Sequence, residues 1–315
     1  MIKMIVGDPH AKVADLPEME IFIDFLEREA IARGVTEIVL TGDLFDTHDI
    51  IRLRVIDFWD RAIRRLAAKF KVTILGGNHD AVGDNESEWK LSSLNFLKDI
   101  PHVRVITEGF YKMDGFDYIP YTHSEEKFKK AVEDLKWNTK NKVLVTHQAY
   151  EGGQYDNGMY IPDGFKLDTV AHYTQVLNGH IHTKSTFGNI YCVGSPRWQG
   201  KSDANQEKGV HIWEKGKLTF VHNNMTPKVV SIEVKEGEEN LLLDVKDKNY
   251  VTLVGSSKWI GSVSKLYKGI ARTIPKPTDS MTVNKKQSYA SFKDFLTNQK
   301  LGVNIDDVIR EVENA

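Results

Sequence analysis

The chain has 315 residues, 41% hydrophobic and 27% charged, with a net charge of -2 and a single cysteine, Cys192. That length holds one large domain plus a smaller one, and no apolar run is long enough to span a bilayer. One cysteine excludes an internal disulfide, and a near-neutral balance gives no global pull toward nucleic acid, although a local basic patch or a metal centre can still attract phosphate.

The first part of the chain alternates short apolar runs with longer amphipathic ones. Ile2 to Val6, Glu37 to Leu40, Val72 to Leu75 and Val143 to Val145 are predicted as buried strands. Leu16 to Arg33, Ile50 to Phe70, Ser87 to Lys98 and Glu125 to Lys136 are predicted as helices, the last capped by Ser124. Such alternation predicts an α/β domain with largely parallel strands. In helix Ile50 to Phe70, Val55, Trp59, Ala62 and Leu66 share one face, suited to core packing or, less readily, self-association. From Gln175 to Glu233 short strand-like runs separated by Gly, Asn and Lys turns predict an antiparallel second sheet packed on the first.

A boundary is expected near Thr226-Pro227, giving a domain over 1–226. Beyond it the expectation is a small cap domain over 227–272, a polar linker over 273–288 and a helical tail over 289–315. In the tail Ile305, Val308, Ile309 and Val312 make one apolar face, for a partner or for folding back on the chain's own domain.

Five motifs run in order: Gly7-Asp8-Pro9-His10, Gly42-Asp43-Leu44-Phe45-Asp46, Gly76-Gly77-Asn78-His79-Asp80, Thr146-His147-Gln148 and Gly179-His180-Ile181-His182. Asp8, Asp43, Asn78 and His147 each follow a predicted strand, so four strands deliver four polar groups to one sheet edge, where α/β sheets collect ligands. On extended backbone Asp8 and His10, like His180 and His182, would point to one side. Carboxylate, amide oxygen and imidazole without thiolate suit manganese, iron or zinc in an open catalytic site, with Asp43 suited to bridge two ions. Two such ions activate water and clamp a phosphate, which predicts phosphoester hydrolysis. His79, beside Asn78, can face the phosphate as general acid or stabilise its charge. Asp46 and Asp80 are expected to orient a ligand or His79, and His48 to line the cleft or lie in solvent. His102, His172, His211 and His222 are expected to be structural or solvated.

These motifs resemble the calcineurin-like metallophosphoesterases over roughly the first 225 residues, and within them most closely the SbcD-type DNA double-strand-break-processing nuclease subunits, bacteriophage recombination endonuclease subunits included. Val193-Gly194-Ser195-Pro196-Arg197-Trp198 is similar to a segment of the phage members. The resemblance implies two packed mixed β-sheets flanked by helices, with a C-terminal cap and tail. It places one metal on Asp8, His10, Asp43 and His182, the other on Asp43, Asn78, His147 and His180, and makes His79 catalytic. It further implies manganese, DNA as substrate, and a homodimer within a heterotetramer with an SbcC-type coiled-coil ATPase bound through C-terminal helices.

Within that superfamily, Thr47-His48-Asp49 after Asp46 disfavours the protein phosphatases, whose Arg-Gly would stand there; a small-molecule phosphodiesterase or nucleotidase stays open. So does a DNA-end-binding scaffold with structural metals. DNA is favoured by a basic, aromatic-bearing stretch from Lys258 to Lys286, whose alternative is a solvated face or a dock for an acidic partner. It is favoured too by the loop Tyr150 to Tyr160 after His147, alternatively an ordinary surface loop, with Tyr150 a candidate substrate contact. Arg197 and Trp198 are candidates to meet phosphate and stack on a base; the alternative is a core Trp beside a solvated Arg. A cytoplasmic location is expected, the host's if the chain is phage-encoded. A cleaved leader would remove Asp8 and His10, so secretion is not expected.

Overall fold

A computed structural model describes residues 1–48, 50–81, 91–138, 141–156, 158–238, 240–241, 250–263 and 271–275, of which 137–138 and 271–275 are described as backbone. The expected tail over 289–315, and most of the expected linker and of the basic stretch, lie outside the described residues.

The first compact unit runs from Met1 to Ser231. Its first sheet begins with strands β1 (Ile2–Val6), β2 (Glu37–Leu40) and β3 (Lys71–Leu75), joined by helices α1 (Leu16–Ala32) and α2 (Leu53–Ala67), then β4 (Val103–Ile106). These four strands are parallel neighbours. A second sheet follows, with β5 (Tyr111–Met113), β6 (Phe116–Ile119), helix α3 (Glu125–Asn138), β7 (Val143–Thr146), β8 (Gln175–Asn178), β9 (Ser185–Phe187) and β10 (Ile190–Cys192). Its order is β5-β6-β7-β8-β10-β9, parallel at its centre and antiparallel at both edges.

The chain then returns to the first sheet. Strands β11 (Gly209–Glu214) and β12 (Lys217–His222) complete it in the order β12-β11-β1-β2-β3-β4, with β11 antiparallel to β1. The expected antiparallel second sheet over Gln175 to Glu233 is therefore corrected. β8 and β10 pair in parallel within a sheet begun earlier, while β9 and the β11–β12 hairpin are antiparallel to their neighbours.

Alternation along each strand builds the layers. On β1, Met4 and Val6 pack with Phe22, Phe25, Phe58 and Trp59 of the helices, while Ile5 faces the second sheet with Val39, Tyr118, Val145 and Leu177. Leu144, Val176 and Ile190 cover the outer side against Phe128, Val132 and Leu135 of α3. Fully burying side chains of this size contributes roughly 1.5–3 kcal/mol each. Val55, Trp59, Ala62 and Leu66 of α2 are all buried in the helix-covered core, which settles that face as core. Ser124 caps α3 by accepting the Lys127 N–H through its hydroxyl at 3.2 Å.

The expected helix over Ser87 to Lys98 is corrected where it is described. Ser92 pairs with Ala81, and only Asn95–Leu97 makes a single tight turn. The Ser92 hydroxyl and the Ser93 N–H both donate to the Asp80 carbonyl, at 2.9 and 3.0 Å, so local polar bonds compete with the helix.

The second compact unit begins at Ile232. In its described part β13 (Ser231–Lys235), β14 (Tyr250–Gly255) and β15 (Ala271–Pro275) form a small sheet, with helix α4 (Ser257–Val263) between the last two. Val234, Val251, Leu253, Ile260 and Val263 make its core. Thr273 to Pro275, expected to open a linker, instead end β15, because a parallel ladder to β14 continues through them.

Between the two main sheets lies a charge the sequence did not reveal. Lys3 and Glu37 form an ion pair at 1% and 0% side-chain exposure. Thr73 donates to Glu37 at 2.7 Å, and the Lys3 ammonium lies 3.3 Å from the Tyr118 hydroxyl and 4.9 Å from the Phe116 ring centre. A buried pair adds little net stability but is costly to break from one side. Lys3→Met should cost about 3–5 kcal/mol in denaturant unfolding. Adding Glu37→Leu should recover most of that loss; a double variant as weak as the single one would show that the pair is not the origin of the effect.

Also between the sheets, His211 Nε2 lies 2.9 Å from the Tyr191 hydroxyl. Burial, and then Lys184, push His211 down to about 3. Its folded value is thus below its unfolded value of about 6.5, so the unfolded state binds the extra proton. The contribution is fully present above about pH 6.5 and falls by about 1.4 kcal/mol per pH unit as acid is added toward pH 3. His211→Phe should flatten this part of the acid limb in stability-against-pH curves; an unchanged slope would exclude His211 as its source.

Candidate metal centre

All five motifs meet beyond the carboxyl ends of β1, β2, β3, β7 and β8. Side-chain atoms of Asp8, His10 and His182 lie within 4.8 Å of one another, as do those of His10, Asp43 and His79, and of Asp8, Asp43 and His147. Asp43 stands at the centre, its Oδ2 3.3 Å from His10 Nε2 and 3.3 Å from His147 Nε2. On the far side of His147, Asn78 Oδ1 lies 3.1 Å from its Nε2 and 2.9 Å from His180 Nδ1. On the far side of His10, His182 Nε2 lies 3.0 Å from His10 Nε2 and 4.0 Å from Asp8 Oδ2.

The donors thus fall into two groups that share Asp43. His180 and His182 separate between them, which corrects the picture of an extended pair. His180 has φ 71°, His10 φ 41° and Asp43 φ 52°, so all three adopt left-handed backbone rather than strand geometry. Non-glycine residues rarely hold such angles without tertiary support. Here the loops support one another: His10 N–H donates to Asp43 O at 3.0 Å and Ala11 N–H to Leu44 O at 2.9 Å.

Close approach also demands glycine. A Cβ on Gly77 would fall 2.1 Å from Asp43 Oδ1, and one on Gly179 would fall 2.7 Å from His147 Nδ1 and 2.8 Å from Asp8 Oδ1. Both would fill the cradle.

Imidazole orientation is set from behind. His10 Nδ1 donates to Phe45 O at 3.1 Å, His147 Nδ1 to Thr41 O at 2.8 Å and His79 Nδ1 to Asp46 O at 2.8 Å. At His10 and His79 the carbonyl favours the Nδ1–H tautomer, with the Nε2 lone pair facing the cluster. At His147 burial opposes the charge, but Asp43 and Asp8 outweigh it and push the ring up to about 9, so its Nε2 carries a proton that a bound cation would displace. Asp46 therefore orients His79 through its carbonyl, while its carboxylate pairs with Lys12 at 3.0 Å. Asp80 accepts the N–H groups of Leu44, Phe45 and Gly77 at 3.0, 3.3 and 3.0 Å, locking the second motif to the third. Burial, then the Asp43 charge, push Asp80 up to about 7.

The electrostatics favour cations. Burial drives Asp8 up to about 6, with Asp43 adding to the rise and His147 and His182 opposing it. Burial opposes the charge on Asp43 too, but His147 and His10 outweigh it and hold that carboxyl well below the usual range. His10 and His180 are pushed down by burial, His180 to about 3, and His79 is lowered for the same first reason. Asp8 Oδ2 is buried with no hydrogen-bond partner. Two carboxylates, an amide oxygen and several neutral imidazoles around an orphaned oxygen fit divalent ions such as manganese, iron or zinc.

Four expected substrate contacts separate in the structure. His48 is exposed and stacks on His79, with ring centres 4.2 Å apart and planes 25° apart, which places it beside the donor cluster. Tyr150 is 1% exposed and packs against Phe128 and Phe165, so it is core. Arg197 is also 1% exposed. Its guanidinium donates to Pro9 O at 3.1 Å and His10 O at 2.9 Å and pairs with Asp15 at 3.1 Å, leaving it no reach to a phosphate. Trp198 is 6% exposed and donates its indole N–H to Gln206 O, too enclosed to stack on a base.

Sequence reasoning missed several residues. Lys208, 1% exposed, donates to His182 O at 2.9 Å and Ser195 Oγ at 2.7 Å and pairs with Asp203 at 2.5 Å. Tyr121 stacks on His180 at 6.0 Å and reaches His123 through its hydroxyl at 3.0 Å. Asp156 Oδ2 lies 3.3 Å from His182 Nδ1. None of these stands in a motif; folding brings them there.

Comparison with known proteins agrees with this geometry. The chain is 27% identical over 199 residues to "Exonuclease subunit 1" of Enterobacteria phage T4 and 26% identical over 208 residues to the 078R protein of Invertebrate iridescent virus 3, named as a candidate phosphoesterase. Each alignment covers 61% of this chain, and the chain spans 58% and 56% of the length of those two relatives. The family model of the calcineurin-like phosphoesterases matches residues 3–184, more than half of the chain, and the chain belongs to that family.

Proposed function

We propose that this chain is a two-metal nuclease subunit that hydrolyses phosphodiester bonds of DNA. The observation that carries the reading is the sharing of Asp43 between two donor groups, with His79 set beside them and held by Asp46 O. One ion would be held by Asp8, His10, Asp43 and His182, the other by Asp43, Asn78, His147 and His180. Two divalent ions there, manganese in this proposal, supply a nucleophile at neutral pH and positive charge against the phosphoryl oxygens.

His79 would do the proton work. Its Nδ1–H is committed to Asp46 O, so Nε2 is the atom that can carry a proton to the leaving oxygen or donate to the phosphoryl group. Asp43 Oδ1 accepts the His79 backbone N–H at 2.9 Å, which ties the acid to the bridging carboxylate. His48, stacked on His79 and open to solvent, would meet the substrate backbone. The choice of DNA is supported by the similarity to the phage T4 exonuclease subunit. A coiled-coil ATPase partner and dimeric assembly belong to the same proposal, as does an intracellular site of action. Among the described residues, no helix is long and apolar enough to cross a membrane.

The decisive test is manganese-dependent digestion of linear and circular DNA beside a small phosphodiester whose aryl leaving group needs no proton. His79→Ala should slow DNA cleavage by roughly 10²–10⁴-fold and aryl ester cleavage far less. Equal losses on both would remove the general-acid role. A wild-type protein that cleaves the aryl ester but no DNA would favour a small-molecule phosphodiesterase; one that binds DNA without cleaving either would favour a scaffold.

The buried Arg197 yields a second expectation. It holds the carbonyls that flank the first donor loop, so Arg197→Met should lower the melting temperature and weaken manganese binding by roughly tenfold, the low end for a supporting residue. The KM for DNA should change little. A variant with raised KM and wild-type metal affinity would restore Arg197 as a phosphate contact.

A further inference from the structure

Four imidazoles that face the cluster are oriented from behind, but not by the same chemistry. His10, His147 and His79 donate to neutral backbone carbonyls. His182 has a carboxylate instead: Asp156 Oδ2 lies 3.3 Å from its Nδ1. Both side chains are partly enclosed, at 22% and 24% exposure, so the charge is not fully screened by water.

Asp156 is delivered by a braced loop. The segment after β7 starts at buried Tyr150 and is tied back by Glu151 N–H to Phe165 O at 3.0 Å, Ile161 N–H to Gly153 O at 2.9 Å and Tyr155 N–H to Met159 O at 2.9 Å. Bridges pair Tyr150 with Phe165 and Gln154 with Tyr160. The carboxylate itself is held as well, since Thr183 Oγ1 donates to Asp156 Oδ1 at 3.0 Å and accepts from Gln206 Nε2 at 3.2 Å. His182 is fixed from its other side too, where its carbonyl accepts from Lys208.

We propose that Asp156 is a positioning residue for the first metal, acting through His182. A carboxylate behind Nδ1 favours the Nδ1–H tautomer, leaves the Nε2 lone pair toward Asp8 and His10, and makes the ring a more electron-rich donor. His182 gains from such help because it is less buried than His10 or His147. The loop after β7 thus reaches the site through Asp156, not through Tyr150. This inference rests on the two-metal reading.

Calorimetric titration of the metal-free 315-residue chain with manganese alone tests it, with the exchange-coupled dimanganese signal in electron paramagnetic resonance as a second readout. Wild type should take two ions. Asp156→Ala should weaken one ion by roughly 10–100-fold, leave the other within about twofold, and lose the coupled signal at two equivalents of manganese. Asp156→Asn, whose amide oxygen still faces Nδ1 without the charge, should fall between the two, and it serves as the near-isosteric control if the alanine variant folds poorly. Two ions bound to both variants with wild-type affinity would overturn the role of Asp156 and leave the two-metal reading intact. Fewer than two ions on the wild type would overturn both.

Discussion

Asp43 has to place one carboxylate oxygen 3.3 Å from imidazoles on either side while its other oxygen accepts the His79 N–H, and much of the surrounding structure can be traced to that demand. The residue sits at φ 52°, a conformation a side chain beyond glycine holds only under constraint. The constraint comes from several directions. Gly77 passes so close that no side chain fits beside Asp43. Asp80 clamps the following N–H groups of Leu44 and Phe45, and Trp59, from the core face of α2, donates to Leu44 O at 3.0 Å. A core helix, a buried carboxylate and a glycine therefore serve one oxygen atom.

The outlying donors follow the same logic at longer range. The carbonyl of His10 is held by Arg197, and that of His182 by Lys208. Both cations are buried, and each is neutralised locally, Arg197 by Asp15 and Lys208 by Asp203. Burying such groups costs desolvation, which is tolerable only when each is fully hydrogen-bonded. Here Arg197 meets the carbonyls of Pro9 and His10, and Lys208 joins the Ser195 N–H on the carbonyl of His182. The return of the chain into the first sheet explains how they arrive: β11, which starts just after Lys208, lies directly beside β1, whose end leads to Asp8 and His10.

What the sequence made legible was the part written locally. The central strands β1, β2, β3 and β7 are largely buried on both faces, so they read as mostly apolar runs, and the polar residues after them stand out. β5, with two of its three residues exposed, carries no such signal and went unseen. Glycine flanked the donors closely enough to be noticed, but left-handed backbone at His10, Asp43 and His180 has no sequence mark. The least legible features are those made by tertiary contact between distant segments. Arg197 looks like a phosphate ligand by residue type, yet 188 positions of separation close onto Pro9 and consume its guanidinium. The loop that carries Asp156 stood out, but nothing in it marked Asp156 rather than Tyr150 as the residue that reaches the site, and Lys208 lies in ordinary-looking strand-entry sequence.

A site this crowded opposes its own folding. Asp8 and Asp80 are driven toward neutrality by burial and by the charge of Asp43, and Asp8 Oδ2 has no partner within the protein. Such a cluster is strained in isolation and gains most from the cations its donors are shaped to accept, because binding to the folded state alone adds to stability. The buried cations beneath the loops and the Lys3–Glu37 pair between the sheets then have a common sense. They meet the backbone beneath the donor loops and join the strands that carry them, through contacts that involve none of the donor atoms.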